Sequence, residues 1–175
     1  MDKQVKDWSK AGPKVPNQEG LFIGFFAGRW SFLLTKQGGP VNGQTSLEHA
    51  LLVARCTPET ADAAARLHKT SDIRYGFKTG RCAERADWAQ IRDQLLWEML
   101  LEKYGVAPDS DNDERRLNRL GLIETAPAYL EDGNVSCENW LGNCRCPKCE
   151  RELGVNMHGR YLMAIRTKLI ENMSK

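Results

Sequence analysis

The 175-residue chain lacks a long hydrophobic run, a strong excess of either charge, an internal repeat and a low-complexity tract. Each absence excludes something. The longest early apolar patch, Leu21 to Phe26, falls far short of the ~20 residues a membrane-spanning helix requires, so no membrane partner is expected. Lys and Arg number 25 against 23 Asp and Glu, for a net charge of +2 and a pI near 8.2. That balance argues against general nucleic-acid binding but leaves room for a phosphate-bearing small molecule, which needs only a few local cations. The N-terminus lacks the ordered charged, apolar and small-residue segments of a secretory signal, so a cytoplasmic location is expected.

Hydrophobic residues at 41% and charged residues at 27% place the chain among globular proteins able to bury a substantial core. Polar residues with Gly12, Pro13 and Pro16 make 1–19 a loose lead-in, and 20–175 reads as a single domain. The fold class is mainly α, α+β at most, with short strands near the N-terminus at 21–26 and 30–34. Glycine and proline in 36–44 break regular structure.

Thr45, followed three residues later by Glu48, matches a capping box for a helix to Cys56. In that helix Leu47, Leu51 and Ala54 form the buried stripe, with Glu48, Leu52 and Arg55 along an adjoining face. Thr57-Pro58 opens a second helix to about His68. The basic stretch 69–85 reads as an irregular surface loop carrying phosphate-binding cations. Asp87 caps a third helix, Trp88 to Tyr104, with Gly105 as its stop and Trp88, Ile91, Leu95 and Met99 as its stripe. A short helix is expected around 114–120, and a last one from about Met157 to Asn172 with Leu162, Ile165 and Leu169 inward.

Three groups of residues carry chemistry, and each has a plainer reading. Glu48 is either a capping glutamate or a carboxylate able to act as acid, base or nucleophile. Arg85, Asp87 and Trp88 are either a cap with a core tryptophan or an aromatic shelf for a base with a cation for phosphate. Cys137, Cys144, Cys146 and Cys149 are either reduced thiols or a structural zinc site. Only Cys146 and Cys149 have the zinc spacing, with no second well-spaced pair downstream.

In order along 22–170, SLEHALLVARC, RADW with the helix ending in EKYG, LEDGNVSCENWLG and GVNMHGRYLMAIR resemble the NADAR (YbiA-like) family of domains associated with NAD and ADP-ribose derivatives. The resemblance implies a YbiA-like helical domain and an N-glycosidase that cleaves a ribose–nitrogen bond, for example in ADP-ribosylated guanine, free or in nucleic acid. No cofactor would be required. A catalytically weak module that binds an ADP-ribose-like nucleotide is the alternative it implies. Glu48, Glu138 and Arg55 map onto its catalytic positions, and Arg85, Asp87, Trp88, Asn134, Trp140, Asn156 and Arg160 onto ligand contacts. Arg55 stands where the family has a lysine able to attack the sugar; an ever-protonated guanidinium cannot do so, and it would clamp phosphate or sugar oxygens instead. The family's S-x-L-S-N-F appears as Ser31 to Lys36 without its asparagine, Leu141 replaces a tryptophan, and Ser136 and Cys137 replace an aromatic and a histidine.

Overall fold

A computed structural model describes residues 20–23, 46–104, 113–132, 140–142 and 154–174. The elements run β1 (Gly20–Ile23), α1 (Leu47–Arg55), α2 (Pro58–Ala65), α3 (Thr70–Thr79), α4 (Trp88–Tyr104), α5 (Asp113–Ile123), β2 (Tyr129–Asp132) and α6 (Met157–Met173). The protein is mainly α. It divides into two compact units, one of residues 35–116 and one of 1–34 with 117–175. Among the described residues no helix is long and apolar enough to cross a membrane. The lead-in at 1–19 and the segment 24–34, which holds the rest of the expected strands, lie outside the described residues.

In the first unit α1 packs on α2, α3 and α4. Its cap is Ser46, whose hydroxyl accepts from the His49 N–H at 3.1 Å. The expected Thr45–Glu48 capping box is therefore one residue out of register, and Glu48 is released from capping. Leu47, Ala50, Leu51 and Leu52 bury the inner face of α1. Thr57 precedes the first-turn Pro58 of α2 as expected, but that helix stops at Ala65, short of His68. The larger correction is α3: ten residues of the supposed loop at 69–85 are helical. Ile73 and Gly76 form its buried side, and a Cβ on Gly76 would stand 2.5 Å from Cys82 Sγ. The sequence signal was obscured by that mid-helix glycine, which close packing against Cys82 requires. Gly80 ends α3 in the left-handed region at φ 75°. α4 spans the expected residues. Its buried face includes Trp88 and Met99 but turns toward Leu96, Leu100 and Tyr104 instead of following Ile91 and Leu95.

Cys56 and Cys82 share a buried cluster with Leu52, Ala64 and Ile73. Burial, and then the neighbouring Cys82, push the Cys56 thiol up to about 11. At pH ~8 only about one molecule in a thousand then carries the thiolate that reacts with alkylating agents. Cys56 should stay unmodified by iodoacetamide in the folded protein at that pH and label fully in guanidinium chloride, as read by peptide mapping. Equal labelling in both conditions would contradict its burial.

In the second unit β1 and β2 run parallel, with Gly20 opposite Tyr129 and Ile23 opposite Asp132. β2 was not anticipated from sequence. It packs against α6, whose Leu162, Ile165 and Leu169 are buried as expected. The residues that join α6 to β2 sit at the spacing of one helix face. Asn156 Oδ1 accepts from the Asp132 N–H at 3.1 Å, and its Nδ2 donates to the Leu130 carbonyl at 2.9 Å and the Tyr129 hydroxyl at 3.1 Å. One turn on, Gly159 brings the helix against the Leu130 carbonyl. Met163 Sδ accepts from the Leu130 N–H at 3.5 Å. Arg166 Nη1 donates to the Thr125 hydroxyl at 2.9 Å and the Ala128 carbonyl at 2.8 Å. Burial lowers the affinity of Arg166 for its proton, and these bonds oppose that by satisfying the charged form.

Candidate functional site

The end of α1 is fixed by a short antiparallel contact with the segment after α3. Thr57 N–H donates to the Ala83 carbonyl at 2.8 Å, Arg85 N–H donates to the Arg55 carbonyl at 3.0 Å, and Cys56 lies opposite Glu84. This register brings Glu84 onto Arg55, whose Nε donates to Glu84 Oε2. The Arg55 guanidinium also lies 5.0 Å from the Phe77 ring centroid, within cation–π range. Arg55 therefore has a carboxylate and an aromatic face as partners.

Glu48 projects from the first turn of α1 toward α3. Arg74 donates to its Oε1 from Nε at 3.2 Å and from Nη2 at 3.0 Å. The Glu48 side chain is 21% exposed, sheltered but open to a ligand. The helical spacing that puts Glu48 and Arg55 near one azimuth holds, yet each has its own counter-ion on a different element.

Arg85 and Asp87 meet fork to fork: Nε to Oδ1 at 2.6 Å and Nη2 to Oδ2 at 2.9 Å. The Arg85 guanidinium holds the Asp87 carboxyl below the usual carboxylate range, and Asp87 in turn raises Arg85. The Asp87 carbonyl accepts the Ile91 N–H, closing the first turn of α4 as a cap residue does. Trp88 is buried, 6% exposed.

In the second unit Trp140 gives its carbonyl to the Met157 N–H and Leu141 gives its own to the His158 N–H, both at 3.0 Å. These two bonds satisfy N–H groups that the start of α6 would leave open. Asn156 is the α6 N-cap, in the left-handed region at φ 54°, with its side-chain amide committed to β2. Arg160 is exposed. His158 Nδ1 lies 2.8 Å from Asp132 Oδ2, both side chains buried. Glu138, Asn134 and the four cysteines Cys137, Cys144, Cys146 and Cys149 lie outside the described residues. Among the described residues no group of three His, Cys, Asp or Glu is placed to hold a metal.

Sequence reasoning missed Arg74, Phe77 and Glu84 as neighbours of Glu48 and Arg55, and the Asp132–His158 pair altogether. A signal for the first three existed. Ile73, Gly76 and Phe77 have the i, i+3, i+4 spacing of a helix face, and Gly80 marks a helix end. No comparable signal links Asp132 to His158, 26 residues apart.

No family model matches the chain, and no curated protein sequence matches it. Among solved structures, the NMR structure of the Escherichia coli protein YbiA is similar to it at a TM-score of 0.59, with 20% sequence identity over 90% of each chain. At that identity the likeness establishes a YbiA-like fold and nothing finer.

Proposed function

We propose that the protein is an N-glycosidase that hydrolyses the bond between ribose C1 and a base nitrogen in an ADP-ribosyl or related ribosyl-nucleotide substrate, ADP-ribosylated guanine being the example to test. The observation that carries this reading is Glu48, a sheltered carboxylate with an arginine on one oxygen, in a YbiA-like fold. When the glycosidic bond breaks, its electron pair leaves with the base and positive charge develops on the ribose. A carboxylate beside C1 stabilises that charge while the oxygen of water adds to C1 and the water's proton passes to the departing base or to solvent. Glu138 is the second carboxylate of the proposal. The half-buried Arg85 and the exposed Arg160 are its phosphate contacts. The Arg85–Asp87 pair lies at the surface, where an ion pair contributes little and opens readily. Trp88 and Asn156, which the resemblance gives as the shelf for the base and a ligand contact, are both buried. Asn134 and Trp140 complete the ligand contacts.

One observation favours a second reading, a binding module for an ADP-ribose-like nucleotide. Arg55 stands in place of a nucleophilic lysine and is engaged by Glu84 and Phe77. The two readings separate when the protein is incubated with ADP-ribosylated guanosine, NAD or ADP-ribose and both melting temperature and released base are followed. A ligand at about 100 times its Kd adds about 2.7 kcal/mol, a rise of roughly 5–10 °C for a chain of this size. Chromatographic release of guanine with turnover is expected. A thermal shift of that size with no product over hours would establish the binding module instead.

A further inference from the structure

Two arginine–carboxylate pairs in the same unit differ in one respect. Arg85 spends one nitrogen on each oxygen of Asp87, so both carboxylate oxygens are occupied. Arg74 instead places two of its nitrogens, Nε and Nη2, on the single oxygen Oε1 of Glu48. Among the described residues Oε2 of Glu48 receives no hydrogen bond. The fork-to-fork arrangement of Asp87 is the one that satisfies a carboxylate most fully. The one-sided grip on Glu48 holds the group in place and leaves its second oxygen accessible, on a side chain that is 21% exposed, to accept from water or from a ligand.

Arg74 is itself held in place. Its neighbour Ile73 is 0% exposed, Gly76 lies against Cys82, and the segment after α3 is tied to the end of α1 through Ala83 and Arg85. The guanidinium is therefore anchored on a fixed helix that packs on α1.

On the reading of Glu48 given above, we propose that Arg74 is a positioning residue, gripping Oε1 of Glu48 so that Oε2 is presented to the positive charge that develops at ribose C1. Arg74 does not touch substrate in this arrangement. Its removal lowers the rate by letting the carboxylate swing, not by weakening substrate binding.

The test uses the full chain with ADP-ribosylated guanosine and compares Arg74→Met, Arg74→Lys, Glu48→Gln and the double variant. Arg74→Met should lose about 100-fold in kcat, the scale of a misplaced catalytic group, with KM changed less than about threefold. Arg74→Lys restores the charge without the rigid fork and should recover roughly tenfold of that loss. The double variant should be no slower than Glu48→Gln alone, because the two residues act as one unit. Should Arg74→Met fail to fold, Arg74→Lys decides the matter: lower kcat at unchanged KM is expected, and a wild-type kcat overturns the assignment. A dead Glu48→Gln beside an Arg74→Met of wild-type rate, or full additivity in the double variant, overturns the role of Arg74 alone. A fully active Glu48→Gln overturns the catalytic reading and the role of Arg74 with it.

Discussion

Glu48→Gln is expected to lower kcat on ADP-ribosylated guanosine by roughly 10³-fold while leaving ligand-induced thermal stabilisation intact. Glutamine has the shape of glutamate, and its amide oxygen can still accept both hydrogen bonds that Arg74 places on Oε1 at 3.0 and 3.2 Å. What disappears is the negative charge. Binding of the intact substrate depends on phosphate, sugar and base contacts, whereas the charge matters most once the ribose becomes cationic. The loss should therefore appear in kcat with little change in KM. Steady-state kinetics checks the first and a melting curve with ADP-ribose checks the second. Retention of more than about a tenth of wild-type kcat would remove Glu48 from the chemistry, since such a loss is worth under ~1.4 kcal/mol of transition-state stabilisation. A loss of the thermal shift together with turnover would instead make Glu48 a binding residue.

The second large effect is on stability. Gly159→Ala should destabilise the protein by about 3 kcal/mol or more, although alanine is favoured over glycine inside a helix by up to ~1 kcal/mol. A Cβ there would stand 2.2 Å from the Leu130 carbonyl oxygen and 2.6 and 2.7 Å from the Asn156 amide atoms. The Leu130 carbonyl belongs to β2 and cannot swing aside as a flexible side chain can. Relief requires α6 to move away from β2, which strains the Asn156 bonds to Leu130 and Asp132 at 2.9 and 3.1 Å. The melting temperature should fall by roughly 6–12 °C. Gly80→Ala provides the contrast. That residue has φ 75° but nothing within 4 Å of an added Cβ, so it should lose only the ~1 kcal/mol of a left-handed alanine. If the two substitutions cost the same, the close approach of α6 to β2 is not what the glycine provides.

The closing motif of the sequence shows how far a pattern can be read before coordinates are known. Asn156, Gly159, Met163 and Arg166 were legible as a spaced set, and the helix carrying them was placed within a residue of its observed ends. Their work was not legible. Asn156 and its companions attach α6 to β2 and to the turn before it. A polar residue near a ligand and one that satisfies a buried strand look alike in sequence, because both need the same donors and acceptors. The candidate site divides in the same way. Glu48 and Arg55 were singled out from their helical spacing, but their counter-ions Arg74 and Glu84 lie 26 and 29 residues away.

Local chemistry was enough to fix the mainly α class, the first-turn proline of α2, both ends of α4 and the inward face of α6, since caps, prolines and apolar periodicity act within a few residues of chain. Ser46 displaced Thr45 as the cap because only the folded helix start decides which hydroxyl meets the third N–H. α3 is a helix despite Gly76, whose missing side chain leaves room for the Cys82 thiol at the ~1 kcal/mol a mid-helix glycine costs. β2 could bury Asp132 because His158, 26 residues away in sequence, meets its carboxylate there. Sequence settled what each segment can do by itself; the tertiary structure chose among those options, because a buried charge or a close-packed glycine is stable only against partners the chain supplies from far away.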